Sequence, residues 1–255
     1  MSLFSLKDKS ILITGSSKGI GKSIAHQSAI MGAKVIISSR KLDACEATAK
    51  EINVDIGKEV AFPIACNIAD DDQLKNLVDS TIDILGSIDT LICNAATNTF
   101  MGSMLDMNIE QFDKVMHNNI RSNQLLCNLC LPGMIEKNDG SIIIISSIAA
   151  IKGSSMLGAY NISKAADVMI VKNIAAEFGH KNIRANSIAP GLIKTDFAKG
   201  LWENPDILKA VLQTNPMKRI GDPDEIAGTA ILLSSKAGNY INGQTIVIDG
   251  GTTAV

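Results

Sequence analysis

A tyrosine and a lysine at Tyr160 and Lys164 could act together as a proton donor and the charge that assists it. If the segment from about Leu157 to His180 is helical, the two side chains lie one turn apart on the same face. Free tyrosine titrates near ~10, so proton transfer at neutral pH needs a nearby positive charge that lowers its pKa. The pair predicts acid-base chemistry only if its surroundings support it, because an isolated pair is more often a half-buried aromatic beside a solvated lysine.

The elements that would position this pair are indicated by short apolar runs alternating with longer amphipathic segments. Parallel strands need helical crossovers, so this alternation predicts an α/β fold, a Rossmann-type doubly wound parallel sheet with helices on both faces. No linker or repeat divides the chain, and we expect one domain over residues 1–255. The predicted strands are Ile11–Ile13, Val35–Ile37, Val60–Ile64, Ile88–Cys93, Ile142–Ile145 and Arg184–Ile188, and the other predicted helices are Ile20–Met31, Leu42–Ile52, Asp70–Leu85 and Ile109–Lys137.

A glycine-rich turn from Thr14 to Gly21 lies between the first predicted strand and the first predicted helix. Glycines such as Gly15 and Gly19 let the backbone approach a pyrophosphate, which the N–H groups and dipole of the helix start favour. The position of this turn predicts nucleotide binding rather than a tight connection alone.

The residues after the second strand indicate which nucleotide is bound. An acidic residue there would accept from a ribose 2′-hydroxyl, whereas a basic residue suits a 2′-phosphate. The chain has Ser39, Arg40 and Lys41 at this point and no acid before Asp43, and Lys18 adds charge from the glycine turn. We therefore expect NADP(H) rather than NAD, although Arg40 and Lys41 could simply begin a solvated helix.

Composition excludes several classes of function. The 255 residues are 46% hydrophobic and 20% charged with a net charge of -2, so neither nucleic acid nor a chelating role is predicted. No apolar run reaches the ~18 residues that cross a bilayer, and Met1 to Ser10 lacks the apolar core of a secretory signal. We expect no membrane partner, a cytoplasmic location and a small-molecule substrate.

Metal binding is not predicted either. The five cysteines are scattered, and Cys127 and Cys130, although spaced like a metal pair, lie among leucines typical of a buried helix. The three histidines are far apart and none has ligand spacing. We expect reduced thiols and no metal site.

Polar residues occur where strands or helices would bring them to the nucleotide. Asn94 follows the fourth strand, Asn118 and Asn119 lie within a long helix where asparagine is mildly unfavourable, and Ser147 follows the fifth strand. Ligands of such sheets bind at the carboxyl ends of the strands, so Ser147 and Tyr160 could face one substrate oxygen.

Together these motifs resemble the short-chain dehydrogenase/reductase family over nearly the whole chain. The likeness is carried by the turn Thr14-Gly15-x-x-x-Gly19-x-Gly21, Asn94-Ala95-Ala96, Ser147, Tyr160-x-x-x-Lys164, Pro190-Gly191, Thr195, Gly243 and Asp249-Gly250-Gly251. It implies a sheet of about seven strands and nicotinamide-dependent hydride transfer. Two residues depart from the family pattern: Ala96 replaces a glycine, and Asn67 stands where an aspartate commonly meets the adenine.

The resemblance also implies the site residues. The catalytic set is Asn119, Ser147, Tyr160 and Lys164, with Asn118 as the runner-up to Asn119. The implied cofactor contacts are Gly15, Ser17, Lys18, Gly19, Ile20, Gly21, Ser39, Arg40, Asn67, Ile68, Asn94, Tyr160, Lys164, Pro190, Gly191, Ile193 and Thr195. The implied substrate contacts are Ser147, Tyr160, Phe197 and Trp202, the last two in a lid at about residues 192–212.

Within the family the chain most resembles the tetrameric NADPH-dependent carbonyl reductases, which implies a homotetramer, or a dimer, that reduces apolar ketones or aldehydes. Lys164 is expected to lower the pKa of Tyr160. A 3-oxoacyl-thioester reductase is the alternative enzyme, and a basic patch near Arg121 or Lys218-Arg219 would favour it. A catalytically silent NADP-binding sensor or scaffold is a third hypothesis, which the retained Tyr160 and Lys164 disfavour.

Overall fold

Seven parallel strands form a single sheet in the computed structural model, which describes residues 2–255. Their order is β3-β2-β1-β4-β5-β6-β7, so the chain winds first in one direction from β1 and then in the other from β4. This confirms the predicted single-domain, doubly wound α/β fold. The strands are β1 (Ser10–Thr14), β2 (Lys34–Ser39), β3 (Ala61–Ala65), β4 (Thr90–Cys93), β5 (Gly140–Ile145), β6 (Ile183–Pro190) and β7 (Thr245–Ile248).

The central strands are apolar on both faces because helices cover both sides of the sheet. All five residues of β1, all six of β5 and all eight of β6 are buried. Alternate residues of one strand pack into separate clusters, with Ile143 in one and Ile142 in the other. Two hydrophobic cores therefore hold the sheet between helical layers.

The helices that the structure describes are α1 (Gly19–Ile30), α2 (Leu42–Ile56), α3 (Asp71–Leu85), α4 (Ile109–Met116), α5 (Ser122–Lys137), α6 (Gly158–Phe178), α7 (Lys199–Trp202), α8 (Pro205–Thr214) and α9 (Pro223–Ser234). Most of these helices overlap the predicted segments, but α2 continues to Ile56 beyond its predicted end at Ile52, and α9 was not predicted. None of the helices in residues 2–255 is both long and apolar enough to cross a membrane.

The predicted helix Ile109–Lys137 is wrong in one respect, because a π-helical segment, His117–Arg121, separates α4 from α5. Both asparagines of this segment turn inward and donate to Thr97, Asn118 to its hydroxyl and Asn119 to its carbonyl. These bonds tie the π-helical segment to the residues that follow β4, and such π-bulges are frequent at functional sites.

Several predicted boundaries also shift. The strand predicted at Arg184–Ile188 extends from Ile183 to Pro190, and the one predicted from Ile88 begins only at Thr90. The predicted lid at 192–212 contains α7 and most of α8, which continues to Thr214. The order in which strands are added still reverses between β1 and β4, whose carboxyl ends are followed by the glycine turn and by Asn94.

Candidate active site

Tyr160 and Lys164 lie together in the first two turns of α6, at the carboxyl edge of the sheet. The Lys164 ammonium is 5.7 Å from the centre of the Tyr160 ring. It donates to the Ile145 carbonyl oxygen at 2.9 Å and to Asp167 Oδ2 at 2.9 Å, and its residue is 2% exposed. The structure therefore brings the predicted proton donor and its charge onto one face of α6, with Lys164 buried and Tyr160 half-buried.

The Lys164 charge lowers the pKa of the Tyr160 phenol, as predicted, but it is not the largest influence on that pKa. Burial raises the pKa of the Tyr160 phenol, and this outweighs the lowering caused by the Lys164 charge and by a hydrogen bond with Ser147. The Asp167 carboxylate also raises this pKa. The sequence indicated the influence of the lysine but not the desolvation of the phenol or the lysine's own counter-ion.

Ser147 lies at the end of β5, where its hydroxyl accepts from Ala149 N at 3.1 Å and faces the Tyr160 phenol. Ser147 is half-buried and begins a short 3-10 turn, Ile148–Ala150. The strand end and the helix start thus place one hydroxyl from each on the same side of the site, which suits the predicted shared substrate oxygen.

Asn119 is fully buried and links three parts of the site. Its side-chain oxygen accepts from Thr97 N at 2.8 Å, and its nitrogen donates to Thr97 O at 2.9 Å and to Ser163 Oγ at 3.0 Å. The Asn118 side chain reaches only Thr97, at 3.3 Å. Asn119 therefore contacts the catalytic helix directly, whereas Asn118 does not.

The glycine turn has the backbone shape that a pyrophosphate cradle requires. Gly15 and Gly19 have φ values of +66° and +56°, in the left-handed region that favours glycine. A Cβ at Gly21 would approach the Asn94 amide nitrogen and the Gly15 carbonyl oxygen to 2.5 Å. No acidic residue lies in the first turn of α1, so nothing there repels an anion.

Asn94 supports this turn from the neighbouring strand. Its amide nitrogen donates to the carbonyl oxygens of Thr14 and Gly15, at 3.0 Å each. The backbone nitrogens of Asn94 and Ala95 both donate to Thr14 Oγ1 at 3.1 Å. Asn94 thus holds the two strand ends in register, and its predicted contact with a cofactor stays a prediction.

The two cations predicted to select the nucleotide have different surroundings. Arg40 is exposed just after β2, and no ion pair among residues 2–255 includes it. Lys18 pairs with Asp196 of the predicted lid at 3.0 Å, and both side chains are 68% exposed. Ser39 is the last residue of β2, and its hydroxyl lies 3.1 Å from Cys45 Sγ. Of the two predicted cations, Arg40 is therefore the one without a carboxylate partner in the described residues.

The predicted adenine contacts lie after β3. Asn67 is exposed, and its side-chain oxygen accepts from Ala69 N at 3.3 Å. Ile68 is half-buried against one of the hydrophobic cores. The Asn67 side-chain nitrogen therefore remains able to donate to a ligand, while its oxygen accepts the hydrogen bond that stabilises the turn.

The segment after β6 closes the other side of the cleft. Gly191 N donates to Ile248 O at 2.9 Å, and Ile193, which is 5% exposed, forms a bridge with Gly221. The Thr195 methyl lies over the glycine turn, 3.2 Å from where a Cβ at Gly19 would be. Thr195 thus lies against the glycine turn, and the predicted cofactor contacts of Pro190, Gly191, Ile193, Ser17, Lys18 and Ile20 stay predictions.

The two predicted substrate contacts of the lid differ. Phe197 is 58% exposed, and its ring centre lies 6.1 Å from that of Tyr160. The Trp202 indole nitrogen donates to Thr195 O at 2.8 Å, so its N–H bonds within the lid. Phe197 is therefore at the reacting edge, and Trp202 supports the lid that carries it.

Sequence reasoning missed Asp167, Asn123, Thr97 and Ser163. Asp167 is fully buried three residues after Lys164, and Asn123 of α5 donates to its other oxygen at 3.0 Å. A charged residue on the inner face of an otherwise apolar helix was the signal for Asp167, because such residues are rarely buried without a partner. Thr97 and Ser163 gave no signal, since their partners come from distant segments.

The residues present fit a dinucleotide with a nicotinamide. The glycine turn, the start of α1 without acidic residues and the exposed Arg40 suit the phosphates of the dinucleotide. Lys164 and Thr195 lie at the carboxyl edge of the sheet, where the nicotinamide and its ribose would bind. Within residues 2–255, no three His, Cys, Asp or Glu side chains lie together as a metal site.

Comparisons with known proteins agree with this geometry. A family model described as enoyl-(acyl carrier protein) reductase matches residues 15–253. "Dehydrogenase/reductase SDR family member 4" from Bos taurus is 39% identical over 250 residues, which cover 97% of this chain and 88% of the relative.

Two solved structures have the same fold over nearly their whole length. A 7α-hydroxysteroid dehydrogenase complexed with NADH and 7-oxo glycochenodeoxycholic acid is 36% identical, with a TM-score of 0.93, covering 98% of this chain and 96% of that one. A gluconate 5-dehydrogenase from Burkholderia cenocepacia J2315, in complex with NADP and tartrate, is 28% identical with a TM-score of 0.94, covering 99% and 98%.

Proposed function

The chain belongs to the short-chain dehydrogenase/reductase family and is one of its oxidoreductases, and from this premise we propose that it is an NADP(H)-dependent carbonyl reductase of apolar ketones or aldehydes. The observation that carries the proposal is the juxtaposition of Tyr160, Ser147 and Lys164 at the carboxyl edge of the sheet, opposite the glycine turn. When bound, the nicotinamide supplies or accepts the hydride.

In this proposal each side chain has one role. Tyr160 donates its phenolic proton to the substrate oxygen as negative charge develops there, and it accepts that proton in the reverse direction. The Ser147 hydroxyl donates to the same oxygen and orients it. Lys164 keeps a positive charge beside Tyr160 and offers an N–H to the nicotinamide ribose. Asn119 would hold a water that links Lys164 to solvent.

The preference for NADP(H) rests on Arg40. Its exposed guanidinium has no carboxylate partner among residues 2–255, and no acidic residue precedes Asp43 after β2. A 2′-phosphate would supply the bidentate acceptor that this fork prefers. Lys18 would add a second charge once it exchanges Asp196 for phosphate.

The entrance to the site supports an apolar substrate. Six large apolar side chains are exposed on the segments that surround Tyr160: Met101, Met104, Leu105, Ile109, Met156 and Phe197. Met104 packs on Gly158 at the start of α6, where a Cβ would meet its Cγ at 2.4 Å. An exposed apolar patch of this kind marks a binding surface, and methionines adapt to varied shapes.

The thioester reductase alternative has less support. Its carrier protein would need a basic surface, yet Arg219 is paired with Glu225 at 2.6 Å, and Arg121 is paired with Asp71. Lys218 donates to the Gln213 carbonyl oxygen at 2.8 Å. The three predicted basic residues are thus already committed within the chain.

A panel assay tests the proposal. NADPH and NADH oxidation would be followed with apolar ketones, diketones, aldehydes and acetoacetyl thioesters, and NADPH binding would be measured separately by fluorescence. We expect turnover with NADPH and apolar carbonyl compounds. Tight NADPH binding with no turnover on any compound would instead support a silent binding protein, and turnover limited to thioesters would support the alternative enzyme.

We also propose a homotetramer and a cytoplasmic location. Ile162 and Met169 are exposed on α6, 43% and 53%, which suits a second subunit, and light scattering would measure the mass. All five cysteines are free and buried, as suits a reducing compartment, which microscopy of the tagged protein would test.

A further inference from the structure

The lysine of the active site is paired with a carboxylate that the proposed mechanism does not use. Lys164 and Asp167 lie on the inner face of α6, with side chains 2% and 0% exposed and Nζ 2.9 Å from Oδ2. The second oxygen of Asp167 accepts from Asn123 Nδ2 at 3.0 Å. This carboxylate is therefore held from both sides, by a buried cation and a buried amide.

The pair limits what the lysine can contact. An ammonium group has three N–H donors. One goes to Ile145 O and one to Asp167, so a single N–H remains for a ligand. Because two fixed acceptors from β5 and α6 hold the ammonium, its direction is set before any ligand arrives.

The pair also limits how the lysine acts on Tyr160. A lysine alone would favour a phenolate beside it, because opposite charges attract strongly in a desolvated site. A carboxylate next to the lysine cancels much of that field and repels the phenolate. Removing one proton from phenol, ammonium and carboxylate together leaves a net negative site, whereas without the carboxylate it leaves a neutral one.

We infer that Asp167 is a positioning residue, which clamps the Lys164 ammonium and compensates its charge so that Tyr160 is kept as a proton donor. The inference rests on the proposed function, and it specifies the direction in which the proposed reaction runs. A site that holds its phenol protonated favours reduction of a carbonyl compound over oxidation of an alcohol at neutral pH.

The other groups around the pair do not replace this effect. Facing it are the Tyr160 phenol and the Ser147 hydroxyl, and the thiols of Cys93 in β4 and of Cys127 and Cys130 in α5. A hydrogen bond with Cys127 raises the pKa of the Cys93 thiol most, and burial raises it further. Burial raises the pKa of the Cys130 thiol, so both thiols stay neutral. Asp167 is thus the carboxylate that lies against Lys164.

The composition of the chain allows a direct test, because it contains two tyrosines, Tyr160 and the fully exposed Tyr240. In a Tyr240→Phe protein, phenolate absorbance near ~295 nm reports Tyr160 alone, against free tyrosine at ~10. Adding Asp167→Asn keeps the side-chain shape and removes the charge. We expect the midpoint of the Tyr160 titration to fall by about one pH unit or more, a tenfold change in acidity.

Turnover should move in the same direction. In the pH profile of kcat/KM for carbonyl reduction, the activity lost at alkaline pH, where Tyr160 loses its proton, should be lost at a lower pH in Asp167→Asn. The fold-change in NADPH affinity at neutral pH should be smaller than the fold-change in kcat/KM at alkaline pH. Asp167→Glu, which retains the charge, should keep the titration close to that of the parent. An unchanged or higher midpoint in folded Asp167→Asn would overturn the inference.

Asp89→Asn is the matched control, since Asp89 is also a buried carboxylate paired with lysine, 4% exposed, but at the opposite edge of the sheet. It should destabilise the protein without moving the Tyr160 titration, and an equal movement would show a general effect of lost charge. If Asp167→Asn does not fold, the Tyr240→Phe protein alone still tests the inference. A midpoint of the Tyr160 titration well below ~10 in that protein would contradict the claim that Asp167 offsets the charge of Lys164. The absorbance readout needs no substrate, so a failed substrate panel leaves this test intact.

Discussion

The two edges of the sheet each hold a buried aspartate paired with lysine, and the two pairs differ in what surrounds them. At the amino edge, Asp89 accepts from Ser10 N at 2.8 Å and pairs with Lys137 and, at 3.9 Å, with Lys9. Those lysines reach in from solvent, with side chains 45% and 31% exposed. At the carboxyl edge, both Asp167 and Lys164 are buried.

The difference separates a structural ion pair from one that belongs to a site. Asp89 ties the starts of β1, β4 and β5 together, since its backbone also bonds to Ser10 and Ser141. Its lysines are partly exposed and keep part of their hydration, so less charge is desolvated here than in a pair that is buried on both sides. Lys164 and Asp167 lose nearly all of their hydration, and burying such a pair lowers the stability of the fold. We interpret that cost as a sign of chemistry.

The largest contrast is expected between the two tyrosines. Tyr160→Phe should lower kcat of carbonyl reduction ~10²–10⁴-fold, because the variant has no proton to donate, while NADPH binding stays nearly unchanged. Tyr240→Phe, the control on an exposed loop near the amino end of β7, should match the wild-type enzyme. Steady-state kinetics and NADPH fluorescence measure both, and substantial reduction by Tyr160→Phe would refute the assigned role.

The two lysines should differ next. Lys164→Met leaves Asp167 buried without its cation and should lower the free energy of unfolding by ~3–5 kcal/mol. Lys137→Met leaves Asp89 with Lys9 and the Ser10 amide, so its loss should stay within ~1 kcal/mol. Urea unfolding compares them. Equal losses would mean that burial does not distinguish the two edges.

The smallest contrast concerns the two ends of β2. Arg40→Ser, after the carboxyl end, should weaken NADPH binding ~10- to 100-fold with little effect on NADH, since a charged bidentate contact with the 2′-phosphate is lost. Lys34→Ser, at the exposed amino end, should leave both affinities as they are. Fluorescence titration at fixed salt measures them, and a parallel loss for both nucleotides would argue against a 2′-phosphate site.

Much of the fold and part of the site could be predicted from residue order. The alternation of apolar runs with amphipathic segments indicated parallel strands and crossovers, and the structure confirms the resulting sheet. Tyr160 and Lys164 could be placed together because a spacing of four is a local property of any helix. The glycine turn was likewise visible, since its residues are contiguous.

Features that depend on distant segments were not predictable. Lys18 meets Asp196 from 178 residues away, and Thr97 meets Asn119 across 22. The choice of Asn119 over Asn118 for contact with the catalytic helix depends on a π-helical segment that brings Ser163 within 3.0 Å. No local pattern specifies which side chains meet in this way.

The amino-acid sequence by itself determined the sheet, the nucleotide turn and the paired tyrosine and lysine, because each follows from period or spacing along the chain. Only the tertiary structure decided the electrostatics of that pair. Burial raises the pKa of Tyr160, and the carboxylate of Asp167 offsets the charge of Lys164. Desolvation and counter-ions arise from packing between α5, α6 and the sheet, so their balance exists only once the chain has folded.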